Sequence, residues 1–256
     1  RDPWRIRFPL KDVLMAGFAI FSLKFPSLLK FEEEIRNKRK GKSNLQTIYG
    51  VKEVPSDSTM REVLDEVNPR ELRKPFKILF ALAQRFKVLE KFTYMDGKYL
   101  LSVDGSGYFL SDKIHCDLCH RTMDKKNNSV RYHHEMLCGA IVHPEQKCVI
   151  PLTPEPLQKG ESKSIKNDSE QSGMKRFLED FRREHPKLEV ILLTDALHAT
   201  GPMMKLLRDS EMDFILSVKP TSHVSLFNAL SQWQERGKVE HLIKTELLGE
   251  KIKKTR

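Results

Sequence analysis

Two aspartates in this chain stand where an apolar strand should end. The run Tyr99-Leu100-Leu101-Ser102-Val103 leads into Asp104, then Gly105-Ser106-Gly107. Farther on, Val190-Ile191-Leu192-Leu193-Thr194 leads into Asp195. A carboxylate beside buried strand residues needs a cation or hydrogen-bond donors, because an unpaired buried charge is costly. Two strands that each deliver a carboxylate can build one divalent-cation site, and hard oxygen ligands suit Mg²⁺ or Mn²⁺. Two such ions about 3.5–4 Å apart activate an attacking oxygen and stabilise a leaving oxygen in phosphodiester transfer. The plainer expectation is that each aspartate caps a turn at the end of its strand.

A second set is softer. Cys116-x2-Cys119 is followed by His133, His134 and Cys138, with the His pair beginning 14 residues after Cys119. This is near zinc-finger spacing, but the two histidines are adjacent rather than spaced along a helix. On a strand they alternate, so only one can face a given side. Cys116, Cys119, His133 and Cys138 form the possible zinc set; an ordinary reduced hairpin is the competing expectation. Lys166, Asp168 and Glu170 open a helix, where carboxylates complement the dipole. His198 is expected to be exposed, or to orient DNA or a water.

These residues need elements to hold them. Leu10, Val13, Leu14, Gly17, Phe18 and Phe21 fall on one helical face, and Leu28, Leu29, Phe31 and Ile35 on the next helix. Arg36, Lys38, Arg39, Lys40 and Lys42 then form a basic run that reads as phosphate contact or as a solvated loop. Asn44 to Val51 and Pro55 to Asp65 read as a short helix, a Gly50 turn and a capped helix bearing Arg61. That arrangement fits a helix-turn-helix DNA reader, or a helical bundle with no DNA contact. Ser58 is the expected cap, with Arg61 and Glu62 behind it. Arg70 to Lys91 reads as one helix with Leu72, Phe76, Leu79, Phe80, Leu82 and Phe86 on its apolar side. After Gly97 the character changes. Strands are expected at Tyr99–Leu110, Val130–Val142 and Cys148–Leu152, then a loop over 153–169. Helix Asp168–Glu184, strand Leu188–Thr194, helix Gly201–Glu211, strand Phe214–Val218 and helix His223–Arg236 follow.

The chain has 256 residues and a formal net charge of +10, which points to a polyanionic partner. Four cysteines are too few for a disulfide scaffold and indicate a reducing compartment. No run is long and apolar enough for a membrane span. The expected organisation is a helical domain over residues 1–96 and an α/β domain over 97–256.

The order of three strands, then alternating helix and strand, is that of an RNase H-like mixed sheet flanked by helices, here preceded by an all-α N-terminal domain. With aspartates on the first and fourth strands, the chain resembles insertion-sequence transposases of the DDE class, family four. The likeness is carried by Asn44-Leu45 to Tyr49-Gly50-Val51, Pro55-Ser56-Asp57 to Met60-Arg61, Leu64-Asp65-Glu66, Asp104-Gly105-Ser106-Gly107-Tyr108-Phe109, Lys166-Asn167-Asp168-Ser169-Glu170 and Asp195. It covers nearly the whole chain.

The resemblance implies metal-dependent hydrolysis and strand transfer at transposon ends, with Asp104 and Asp195 as catalytic residues and Mg²⁺ (or Mn²⁺) ligands, and Glu170 as an accessory group near the metals, since RNase H enzymes use a Glu on this helix. It implies double-stranded DNA as partner, both terminal inverted repeats and target, and a homodimer on DNA. It also implies a cytoplasmic, nucleoid-associated protein with no membrane contact. The family's third ligand is a Glu within Tyr-x2-Arg-x3-Glu-x6-Lys, after a β-rich insertion. That pattern does not occur in these residues, and Glu246 lacks the Tyr and Arg; the chain is expected to stop short of it. Two other readings stand beside this one: a catalytically inactive DNA-binding remnant, and an RNase H-like nuclease.

Overall fold

The computed structural model describes residues 8–37, 44–124, 128–157, 169–239, 244–248 and 251–255, the last two segments and residues 36–37 as backbone. The chain forms two compact units, residues 1–73 and 74–256.

The described elements of the first unit are helical. They are α1 (Leu10–Ser22), α2 (Leu28–Asn37), a short turn of helix over residues 44–47, α3 (Asp57–Asp65) and a 3₁₀ turn at Pro69–Leu72. Val13, Ala16, Ala19, Ile20, Phe31, Ile35, Leu45, Val51 and Met60 make its core. The face of α1 turned inward carries the small Ala16 and Ala19, leaving Leu10, Phe18 and Phe21 exposed, contrary to the expected stripe. Two buried carboxylates are satisfied by backbone donors. Asp12 Oδ2 accepts from the Lys52 N–H at 3.1 Å, and Glu32 Oε2 from the Asp57 N–H at 2.8 Å. Ser56, not Ser58, caps α3 by accepting from the Thr59 N–H. A side-chain oxygen reaches the third amide beyond it, and that geometry falls to Ser56.

The second unit begins with α4 (Arg73–Arg85). The boundary lies before residue 97 because Phe80, Leu89 and Phe92 are buried with the sheet's own core. The expected long helix is a 3₁₀ turn, α4 and a further 3₁₀ turn at Leu89–Phe92, and Leu72, Leu79, Leu82 and Phe86 are exposed. Seven strands follow in one mixed sheet: β1 (Tyr99–Ser111), β2 (His120–Asp124), β3 (Ser129–Val142), β4 (Ile150–Pro151), β5 (Glu155–Leu157), β6 (Val190–Thr194) and β7 (Asp213–Leu216). The main path runs β2-β3-β1-β6-β7, with β4 and β5 pairing on β3. β1 is antiparallel to β3 and parallel to β6, and β6 is parallel to β7. β5 occupies what the polar, Pro-bearing sequence suggested was loop.

Helices α5 (Glu170–Glu184), α6 (Gly201–Asp209) and α7 (Val224–Glu235) alternate with the later strands. Leu101, Val103, Leu137 and Ile141 of β1 and β3 bury against Met174, Phe177, Leu178 and Phe181 of α5. Each such side chain contributes about 1.5–3 kcal/mol by leaving water. Gly139 has no Cβ because the Phe177 ring lies where one would project. Arg176 Nε donates to the buried Glu155 Oε1 at 2.6 Å, tying α5 to β5. β8 (Lys244–Leu248) and β9 (Lys251–Thr255) form a separate antiparallel hairpin that places Glu246 opposite Lys253. Among the described residues no helix is long and apolar enough to cross a membrane.

Candidate metal centres

Asp104 and Asp195 are carried by neighbouring parallel strands. The register pairs Leu101 with Leu192 and Ser102 with Leu193. Asp104 stands two residues beyond the last pair on β1, and Asp195 two residues beyond it, just past the end of β6. β6 ends at Thr194 while β1 runs on to Ser111, so Asp104 borders an open edge and is exposed, as is Asp195. Both carboxylates also make local turn bonds. Asp104 Oδ1 accepts from the Gly105 N–H at 2.9 Å and Asp195 Oδ1 from the Leu197 N–H at 3.0 Å.

Glu170 joins them from the first turn of α5, whose N-cap Ser169 accepts from the Ser172 N–H. Its carboxylate lies over Gly105, in the space a Cβ would take. Burial and the negative charges of Glu135, Asp195 and Asp104 raise the Glu170 pKa above its ordinary value. His198 is buried, with Nε2 at 3.9 Å from Glu170 Oε2 and Nδ1 without a hydrogen bond among the described residues. Burial lowers its pKa, against the pull of Asp195 and Asp104. The expectation of an exposed His198 is thereby corrected: the turn after β6 folds it inward. The negative charge of Asp104, Glu135 and Asp195 thus acts on Glu170, a repulsion that a divalent cation would relieve.

Farther along β1 a bulge changes the register. Gly107 pairs with Glu135 but Phe109 pairs with His134, leaving Tyr108 as the extra residue. Bulges re-aim side chains. Here Tyr108 stacks on His134 at 5.7 Å between ring centroids, with Phe109 at 5.6 Å. Beyond the bulge two triads gather, each with its ligand atoms all within 4.8 Å of one another. One is Cys116, Cys119 and His134. The other is His120, His133 and Glu135.

In the first, the sulfurs are 3.7 Å apart, and His134 Nε2 lies 3.3 Å from Cys116 Sγ and 3.2 Å from Cys119 Sγ. Burial raises the Cys119 pKa and lowers that of His134. In the second, Glu135 Oε1 lies 3.6 Å from His133 Nε2, and Oε2 lies 3.9 Å from His120 Nδ1. Asp104, Asp195 and Glu170 do not form such a tight triad among the described residues. The chain therefore holds groupings able to take a metal ion.

The zinc set read from the sequence is corrected in two members. His134, not His133, faces the cysteines, because His133 pairs with His120 across β2 and β3 and so joins the opposite face. Cys138 lies four residues past His134, about 13 Å along the strand, opposite Asp104. The strand alternation in His133-His134-Glu135 was the one signal that could have found both triads. His120 adjoins the Cys-x2-Cys pair in sequence but was not assigned to a ligand set, and Glu135 was missed.

Of the basic residues, Lys38, Arg39, Lys40 and Lys42 lie outside the described residues, as do Lys166, Asn167 and Asp168, and Arg36 is described as backbone in α2. Arg61 is exposed on α3, 3.6 Å from Asp57. No family model, curated protein or solved structure matches this chain.

Proposed function

We propose that the chain is part of a DDE-class DNA transposase with an RNase H-like catalytic domain. The parallel pairing of β1 with β6, with Asp104 and Asp195 each two positions past its last pair, is the observation that supports this reading. Asp104 and Asp195 would hold Mg²⁺ or Mn²⁺, with Glu170 as a third carboxylate at their side. The metal would supply Lewis-acid stabilisation of the oxygens exchanged at phosphorus. The chain's own groups supply the rest. Gly105 admits Glu170 to the edge of β1, and the buried His198 lies with Nε2 3.9 Å from the Glu170 carboxylate. The net charge of +10 suits a DNA partner, and the helical first unit is the proposed reader of transposon ends.

The test is a cleavage and strand-transfer assay on DNA carrying the element's own ends. It uses this chain and a version extended through the reading frame after Arg256. Mg²⁺-dependent transfer by the extended version, abolished by Asp104→Ala or Asp195→Ala, is expected. End-specific binding with no cleavage by either version would establish the inactive remnant instead. Cleavage without preference for the ends would establish the nuclease.

A further inference from the structure

We propose that Cys116, Cys119 and His134 form a zinc site that clips the β1–β2 connection onto β3. A zinc ion bonds sulfur at about 2.3 Å and imidazole nitrogen at about 2.0–2.1 Å; tetrahedral angles then set the sulfurs about 3.8 Å apart and each about 3.5 Å from the nitrogen. The observed triangle, 3.7, 3.3 and 3.2 Å on a side, has that size.

All three ligands are of the types that select zinc over Mg²⁺, so this site is chemically distinct from the carboxylate set around Asp104. Its surroundings support the ligands. The Cys116 N–H donates to Cys119 Sγ at 3.3 Å, and the Tyr108 ring stacks on His134 and fixes its plane. Such outer partners orient ligands at metal sites. Cys119 is buried and Cys116 exposed, so the site has a closed side and an open side. A water on the open side would complete four-coordination. Both thiols are free, as ligation requires. The clip would join the loop after β1 to a residue 15 positions beyond Cys119, closing the base of the β2–β3 hairpin. This inference stands whether or not the transposase reading does.

Cobalt substitution of the full, freshly reduced chain tests it. A thiolate-to-cobalt charge-transfer band and strong ligand-field bands, displaced by zinc at one ion per chain, are expected. Cobalt held by His120, His133 and Glu135 would give no sulfur band, so the band reports on this site alone. Cys116→Ser and His134→Gln should weaken binding by more than the roughly 100-fold that loss of a mere supporting partner costs. His133→Gln and Cys138→Ser should leave the band in place. Far-ultraviolet circular dichroism of each variant, and of the chelator-treated chain, confirms that the fold is retained. Absence of the band in folded, reduced protein would overturn the proposal, leaving a thiol–imidazole hydrogen-bonded trio. So would a band that survives Cys116→Ser and His134→Gln but is lost with Cys138→Ser.

Discussion

The two halves of β1 build two different sites by two different means. In its first half, β1 is buried against α5 and parallel to β6, and backbone register leaves Asp104 and Asp195 each two positions past its last pair. In its second half, past the bulge at Tyr108, it is an exposed hairpin strand, and side chains converge directly within 4 Å. The first set is exposed and acidic. The second is compact and made of two thiols and an imidazole, with burial raising the Cys119 pKa and lowering that of His134. Carboxylates gathered in one place repel one another unless a cation sits between them, whereas thiol and imidazole groups approach closely at less cost.

The strongest way to break this contrast is to exchange the damage. Asp195→Ala should abolish Mg²⁺ binding, followed by calorimetry, and leave the cobalt–sulfur band unchanged. Cys119→Ser should do the reverse. Loss of both responses in either variant would mean that the two halves of β1 form one coupled site.

A smaller change sharpens the acidic side. Gly105→Ala forces the Glu170 carboxylate off β1, because a methyl group and Glu170 cannot share that space. The displaced group is the end of a long side chain, so stability should change by no more than about 0.5–1 kcal/mol in a denaturant titration. Mg²⁺ affinity should fall by roughly 10–100-fold, as when a group that shapes a metal site is moved. Unchanged affinity would remove Glu170 from the site.

The smallest effect is a pH dependence. The Glu170 pKa in the folded chain lies above its ordinary value of 4.5. The folded state therefore holds a proton that the unfolded state has released. Its stabilising contribution is complete below the unfolded pKa and is lost as pH rises through the folded one. Without divalent cations, Glu170→Gln should be more stable than the parent chain at neutral pH. The difference should vanish in acid and reverse when Mg²⁺ is present. Thermal melts across pH, with and without Mg²⁺, measure this.

Much of the second unit could be read from residue order. The runs ending at Thr194 and Val103, and the Met174, Phe177, Leu178 and Phe181 stripe, carry the periods of a strand and a helix. They emerge as β6, β1 and α5 with the stripe inward. The amphipathic pattern was misleading in α1 and α4, where the apolar stripe is wider than the buried face. Neighbouring helices, not period, decide which part of such a stripe is covered. β5 was hidden because it is three residues long and contains Pro156.

The sequence by itself determined the elements and the ligand chemistry: two strand-end carboxylates, a Cys-x2-Cys pair and a basic balance of +10. These follow from local periodicity and side-chain type. Tertiary structure decided the partners. It set β6 against β1, laid Glu170 over Gly105, turned His198 inward and chose His134 over His133 for the cysteines. The physical reason is that strand pairing is non-local and a strand's faces alternate with every residue. A single position of register, or one bulge, changes which side chains meet, and no spacing along the chain encodes that choice.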